Sequence, residues 1–350
     1  MLTLALLLTP AMTVEGALPC ERALAVTPGM SCVATGHGVA VAGTPEDAER
    51  LAGYARAGEA RFEDTFGRGV PSYAVFASPP VPDRAAAKAA GFDHVLAWPS
   101  GTAFERATRE GIERAARAFA ASQNMTTGQT DQVVTRALAN QPDSRVRAAM
   151  EASIVSHELG HLWFTSTFWP DAQGSAEGVR PHYGGPGPDW LDEAAAIQME
   201  DEATATLRRG QFRSLMRGET VASIGAVDGR AILVNATGLL SREHPGLESL
   251  VGNATRASAM ANGGIVVSYS PAVGGPQPDA QVSIFYLHTQ VFTEYLVEKS
   301  GTTDILSRIT LAIARGQTFE AWLANDGAAL GLPGTVAGLQ SDWAGYADGV

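Results

Sequence analysis

The sequence predicts an α+β fold, and three observations carry that expectation. Up to about residue 121 short apolar runs alternate with amphipathic helical patterns, whereas the later chain reads as one helix after another. The chain is 350 residues long, 45% hydrophobic and 18% charged, enough to bury a sizeable core as one two-lobed unit or two domains. No internal repeat or heptad series points to a solenoid or coiled coil.

Taken in order, Gly38 to Ala42 is a short strand, and Thr44 caps a helix whose periodicity runs from Glu46 to Phe66. Tyr73 to Phe76 is a second strand, Asp83 to Ala90 a short helix, and His94 to Ala97 a third strand ended by Pro99-Ser100-Gly101. Phe104 to Ala121 is a charged amphipathic helix, and a polar stretch through Asn124 and Asp131 follows it. Asp143 and Ser144, after Pro142, are N-cap candidates for a helix with a stripe at Val146, Ala149, Met150, Ser153 and Ile154. A turn-rich run from Gly184 to Pro188 leads into an Ala-rich helix from Asp189 to Glu200. Asn262 to Pro278, rich in Gly, Ser and Pro, reads as a loop. Beyond it come helices over Ser283 to Lys299, ended by Gly301, and Asp304 to Arg315, ended by Gly316, with another starting at Phe319 to Leu323.

The 144-onward helix continues into His157-Glu158-Leu159-Gly160-His161, the H-E-x-x-H pattern. Two imidazoles four positions apart share one helix face and can grip one zinc ion, with the intervening glutamate placed to act as general base on a water. With only 7 histidines in the chain, a chance match is about a one in a hundred event. Both histidines extend the apolar stripe and so should point inward. A catalytic zinc takes a third protein ligand, and Glu193, in the first turn of the Ala-rich helix, is the candidate; the same position also suits an acid favoured by the helix dipole.

Trp190, Leu191, Glu193, Ala194 and Ala196, following H-E-x-x-H, resemble the W-L-x-E-[GA]-x-A segment of the gluzincin metallopeptidases, the thermolysin-like and aminopeptidase-like clan. The resemblance implies that His157, His161 and Glu193 ligate zinc and that Glu158 is the base, and Glu200 falls where the aminopeptidase-like branch often has another acid; Asp192 and Glu200 are candidates to orient histidine N–H groups, and both positions equally suit ordinary helix acids. It also implies an N-terminal α/β lobe with a small sheet over residues 14–165, a helical lobe over 166–350, and an active-site cleft between them. An edge strand beside the site would then bind substrate backbone. Tyr286-Leu287-His288-Thr289, with Tyr295-Leu296 and Gly301, is similar to the closing segment of such domains, which makes Tyr286 and His288 the candidate hydrogen-bond donors to the developing oxyanion. Two positions apart on one helix, they cannot both face it, and Tyr286 is preferred. The chain departs from the family pattern at Ala194, where glycine is commoner, and in the long step from His161 to Glu193, which implies an inserted loop near the cleft.

The expected function is therefore zinc-dependent hydrolysis of peptide bonds in a peptide or protein substrate. Without a G-x-M-E-N-type anchor for a substrate amino terminus, an endopeptidase is preferred over an aminopeptidase. The alternatives are a catalytically silent binding protein of the same fold, which the intact Glu158 disfavours, and a zinc hydrolase of a non-peptide bond. A net charge of -12 without basic blocks argues against nucleic acid and anionic membrane surfaces as partners. Met1 to Thr13 has the short apolar core and small-residue end of a secretory signal but lacks a basic start. No stretch approaches 18 apolar residues, so no transmembrane helix is expected. The only cysteines, Cys20 and Cys32, fit a disulfide closing a small loop across Pro28 and Gly29 in an oxidising, extracytoplasmic compartment.

Overall fold

The computed structural model describes residues 18–78, 84–99, 101–139, 144–170, 186–221, 224, 227–245 and 280–350. The expected signal over 1–13, the N-cap candidate Asp143 and the loop over 262–278 lie outside them.

The fold is α+β, mostly helical with one four-stranded sheet near the N-terminus. Helix α1 (Pro19–Val26) precedes strands β1 (Ser31–Ala34) and β2 (Gly38–Ala42), which pair antiparallel with Cys32 opposite Val41. Helix α2 (Pro45–Phe66) crosses to β3 (Tyr73–Ser78), and α3 (Arg84–Ala89) crosses to β4 (His94–Pro99). Both steps yield parallel pairs, giving the order β1-β2-β3-β4.

Strand side chains alternate between faces, and both faces of this sheet are covered. Val39, Val41, Ala74 and Phe76 pack with Ala23 of α1 and with Ala87, Ala90 and Phe92 around α3. Ala40, Ala42, Tyr73, Val75, Leu96 and Trp98 face the main core with Leu51, Ala55 and Phe62 of α2. Helix α2 begins where expected: the Thr44 hydroxyl accepts the Asp47 N–H at 3.1 Å, and Pro45 follows as the first helical residue. It ends at Gly67, whose φ of 63° is the left-handed cap geometry that glycine adopts without strain. Two elements depart from expectation ahead of it. The loop closed by the Cys20–Cys32 disulfide, with Cα atoms 5.6 Å apart, is built from α1 and β1.

Helices α4 (Gly101–Ser122) and α5 (Thr127–Ala139) follow, the second occupying the stretch expected to be irregular. Only Val134 and Ala137 of α5 are buried, so a narrow apolar stripe suffices to dock it beside Ile112 and Ala116 of α4. Helix α6 (Ser144–Phe168) carries the H-E-x-x-H residues. Its first turns stand away from the core: Val146, expected in the buried stripe, is 46% exposed, and burial begins at Glu151. The expected lobe boundary at 165/166 falls inside α6.

Glu151 is the anchor of α6. Its carboxylate accepts the Trp98 indole N–H of β4 at 3.0 Å and pairs with Arg50 of α2, so one buried acid ties sheet, crossover helix and α6 together. Glu59 of α2 does the same for the β1–β2 turn, accepting from the Thr35 hydroxyl, the Gly36 and His37 N–H groups and the Tyr73 hydroxyl at 2.8–3.1 Å.

The remaining elements are helical: α7 (Asp189–Gln198), α8 (Glu202–Met216), α9 (Gly229–Leu233), α10 (Ala236–Ser241), α11 (Ala280–Ser300), α12 (Ile305–Ala314), α13 (Phe319–Trp322) with a π-helical turn to Gly327, and α14 (Val336–Gly349). The main core runs unbroken from Ala40 of the sheet through Leu159 of α6 and Leu191 of α7 to Phe292 of α11 and Trp343 of α14. Among the described residues no helix is long and apolar enough to cross a membrane.

Candidate metal centre

A 3.6-residue helical period places positions 157 and 161 on one face of α6, and that face meets α7. Both imidazoles are buried, at 5% and 8% exposure. The two helices approach closely at Gly160, where a Cβ would lie 2.8 Å from Met199 Cγ and 2.9 Å from Ala196 Cα. Glycine at this position of the motif is thus what lets α7 press Glu193 against the histidine pair.

The contact sets a tight cluster. His157 Nε2 and His161 Nε2 are 3.1 Å apart; Glu193 Oε2 is 3.4 Å from the first and Oε1 is 3.6 Å from the second. Ligand atoms bound tetrahedrally at about 2.0–2.1 Å sit about 3.3 Å apart, so these spacings match the edges of one coordination shell. Glu193 is fully buried, yet neither of its oxygens accepts a hydrogen bond among the described residues. A buried carboxylate left this way is costly unless a cation neutralises it. His157, His161 and Glu193 are therefore a group that could hold a metal ion.

Each member has a partner behind it. Glu200 Oε1 meets His157 Nδ1 at 2.7 Å, and Glu200 is in turn gripped by Arg208 of α8. Asp192 Oδ2 lies 2.7 Å from His161 Nδ1. Carboxylates at both Nδ1 atoms favour the tautomer whose Nε2 lone pair faces inward. The third partner was not anticipated: His244, just after α10, brings Nε2 to 3.2 Å from Glu193 Oε1, while its backbone N–H donates to Asp189 Oδ2 at 2.5 Å.

The charges show the same coupling. Burial works against a charged His161, but Asp192 and Glu193 beside it outweigh that and push its pKa up to about 10. Burial pushes Glu193 up to about 7 against the pull of the two histidines. Against the upward push of burial, Arg208 and His157 hold Glu200 below the usual carboxylate range. Burial, with the two histidines nearby, drives His244 down to about 3, which keeps it neutral. Glu158 is partly exposed, and its negative charge reaches both His161 and Glu193.

Of the two expected oxyanion donors, Tyr286 stands at the cluster, its ring centroid 5.7 Å from that of His157 and 5.8 Å from that of His244. His288 faces another way: it is buried and stacked on Trp343 at 5.5 Å, and burial takes its pKa down to about 3. Two positions along a helix correspond to about 200° of rotation, a little over half a turn, and this separates the two directions.

Comparison with known proteins yields no relative: no family model matches the chain, and no curated protein and no solved structure is significantly similar to it.

The close helix crossing makes a direct prediction. Gly160→Ala adds a methyl where there is no room, and overpacking of this kind costs about 1–3 kcal/mol. A lower melting temperature together with weaker metal binding is expected, measured by thermal unfolding and zinc titration; a variant matching wild type in both would show that α7 yields freely at this crossing.

Proposed function

We propose that this chain is a secreted zinc metallopeptidase of gluzincin type. The observation that carries the reading is the convergence of His157, His161 and Glu193, from two helices, to within 4.8 Å in a buried cluster. Two imidazoles and one carboxylate are a donor set suited to catalytic zinc, with a coordination position left over. When bound, zinc supplies Lewis acidity that polarises a carbonyl and acidifies a water.

The chain's residues would then divide the work. Glu158, fixed on α6 beside the ligands and open enough to meet solvent, takes a proton at its carboxylate and returns it to the leaving amine nitrogen. Glu200 and Asp192 hold the two imidazoles with Nε2 turned inward. Tyr286 is the preferred donor to the oxygen on which charge grows, and neutral His244 lies against Glu193. His288, packed on Trp343, supports the helix that carries Tyr286. A disulfide between Cys20 and Cys32 supports an oxidising compartment and hence secretion.

Elemental analysis and activity together test this reading. Protein purified without chelator should contain about one zinc per chain, hydrolyse members of a peptide library, lose activity to a chelator and regain it with zinc. Protein with no zinc, and no hydrolysis on adding it, would overturn the proposal.

A further inference from the structure

Arg208 belongs to no motif in the sequence, yet it occupies the back of the metal cluster. Its side chain is only 13% exposed, and a guanidinium so enclosed needs a matched partner. Both terminal nitrogens go to one carboxylate: Nη2 donates to Glu200 Oε1 at 2.7 Å, and Nη1 donates to Oε2. Such a fork fixes the plane of the carboxylate as well as its position, which an ammonium would not do.

The fixed oxygen matters because Oε1 is also the one that meets His157 Nδ1. Glu200 lies in the short connection between α7 and α8, with several rotatable side-chain bonds and no helix of its own to hold it. Asp192, the partner of His161, differs: it sits within α7, one residue before Glu193, and among the described residues neither of its oxygens receives a hydrogen bond from an arginine. The guanidinium carbon of Arg208 also lies 5.5 Å from the centroid of the Tyr286 ring, which itself borders His157.

We propose that Arg208 is the positioning residue of this centre: its fork sets Glu200, Glu200 sets the His157 imidazole toward the shared metal locus, and its cationic face keeps Tyr286 alongside. The inference rests on the metal reading and deepens it. Arg208 acts through its neighbours and ligates nothing.

The test compares wild type with Arg208→Met, Arg208→Lys, Glu200→Gln, the double variant Glu200→Gln/Arg208→Met, and Arg209→Met as control. Arg209 is the adjacent arginine, engaged instead with Glu202 and Glu294. Zinc affinity is read by competition with a chromophoric chelator, ligand geometry by the visible spectrum of the cobalt(II) form, and folding by the melting temperature of metal-free protein. Arg208→Met should weaken zinc about 10–100-fold and alter the cobalt bands, with Arg208→Lys recovering part and Arg209→Met matching wild type. The double variant should bind zinc no more weakly than Glu200→Gln alone, because the arginine's effect passes through that carboxylate. Arg208→Met with wild-type affinity and spectrum, or fully additive losses in the double variant, would overturn the inference while leaving the metal site standing. Should Arg208→Met not fold, Arg208→Lys decides, since it keeps the charge and loses the fork: an unchanged spectrum and affinity would refute the role. Wild type that binds no zinc would remove both readings at once.

Discussion

Glu158→Gln is expected to retain zinc and melt with wild type, and to lose peptide hydrolysis by roughly two to four orders of magnitude. The amide keeps the shape of the side chain but cannot take a proton from water at neutral pH. The residue lies outside the His157, His161 and Glu193 group, so its removal takes no ligand away. Its charge does press on that group, raising His161 and Glu193 alike, so a small change in zinc affinity is compatible with the role while a large loss is not. Single-turnover kinetics separates the cases: a loss in kcat with substrate binding intact marks a base, and unchanged turnover would reduce Glu158 to an ordinary helix acid.

Glu193→Gln is expected to act oppositely, on metal before chemistry. Zinc affinity should fall by more than the roughly 10–100-fold that an outer partner costs, because an amide oxygen is a poor substitute for a carboxylate at this cation. Metal-free protein should melt no lower than metal-free wild type, since the native carboxylate is fully buried with no hydrogen bond to either oxygen among the described residues. In wild type a saturating ligand at a thousand times its Kd adds about 4 kcal/mol to folding, and that increment is what the variant should lack. Calorimetry in the presence and absence of zinc reads both quantities. An equal zinc-induced rise in melting temperature would place the third ligand elsewhere.

Much of this architecture is legible locally. Strands read at 38–42, 73–76 and 94–97, the last two ending two residues short of the observed strands, and the capped helix after Thr44 follow from short-range periodicity and punctuation, which act within one element. What escaped reading had weak local marks. In the Cys20 to Cys32 segment, Pro19 and the Pro28-Gly29 pair obscure α1 and β1, although proline suits the first turn of a helix. Helix α5 buries only Val134 and Ala137, with Val133 and Leu138 half-buried beside them, a short apolar patch after a polar first half. The site divides the same way. His157 and His161 stand at a fixed offset on one helix, so spacing alone finds them, whereas Glu193, across a longer step, is reached through the resemblance of the segment around Trp190 and Leu191. His244 reaches Glu193 across 51 positions from a short stretch after α10, and Arg208 reaches Glu200 from the next helix; the packing of α11 against α7, α8 and α10 brings them in. The contrast between Tyr286 and His288 was visible as a helical phase difference, but which phase faces the cluster was settled by Trp343, far along the chain.

The anchoring of Glu151 bears on the order in which this molecule assembles itself. All three candidate metal ligands fall within a stretch from 157 to 193, and an excised segment of that length would contain each of these candidate donor atoms. Yet α6 is held by an acid whose partners, Trp98 and Arg50, lie 53 and 101 positions earlier. Contacts that distant form late, after the intervening loop has been closed. The candidate ligand cluster of a nascent chain is therefore expected to close only once Arg50 and Trp98 have packed against α6.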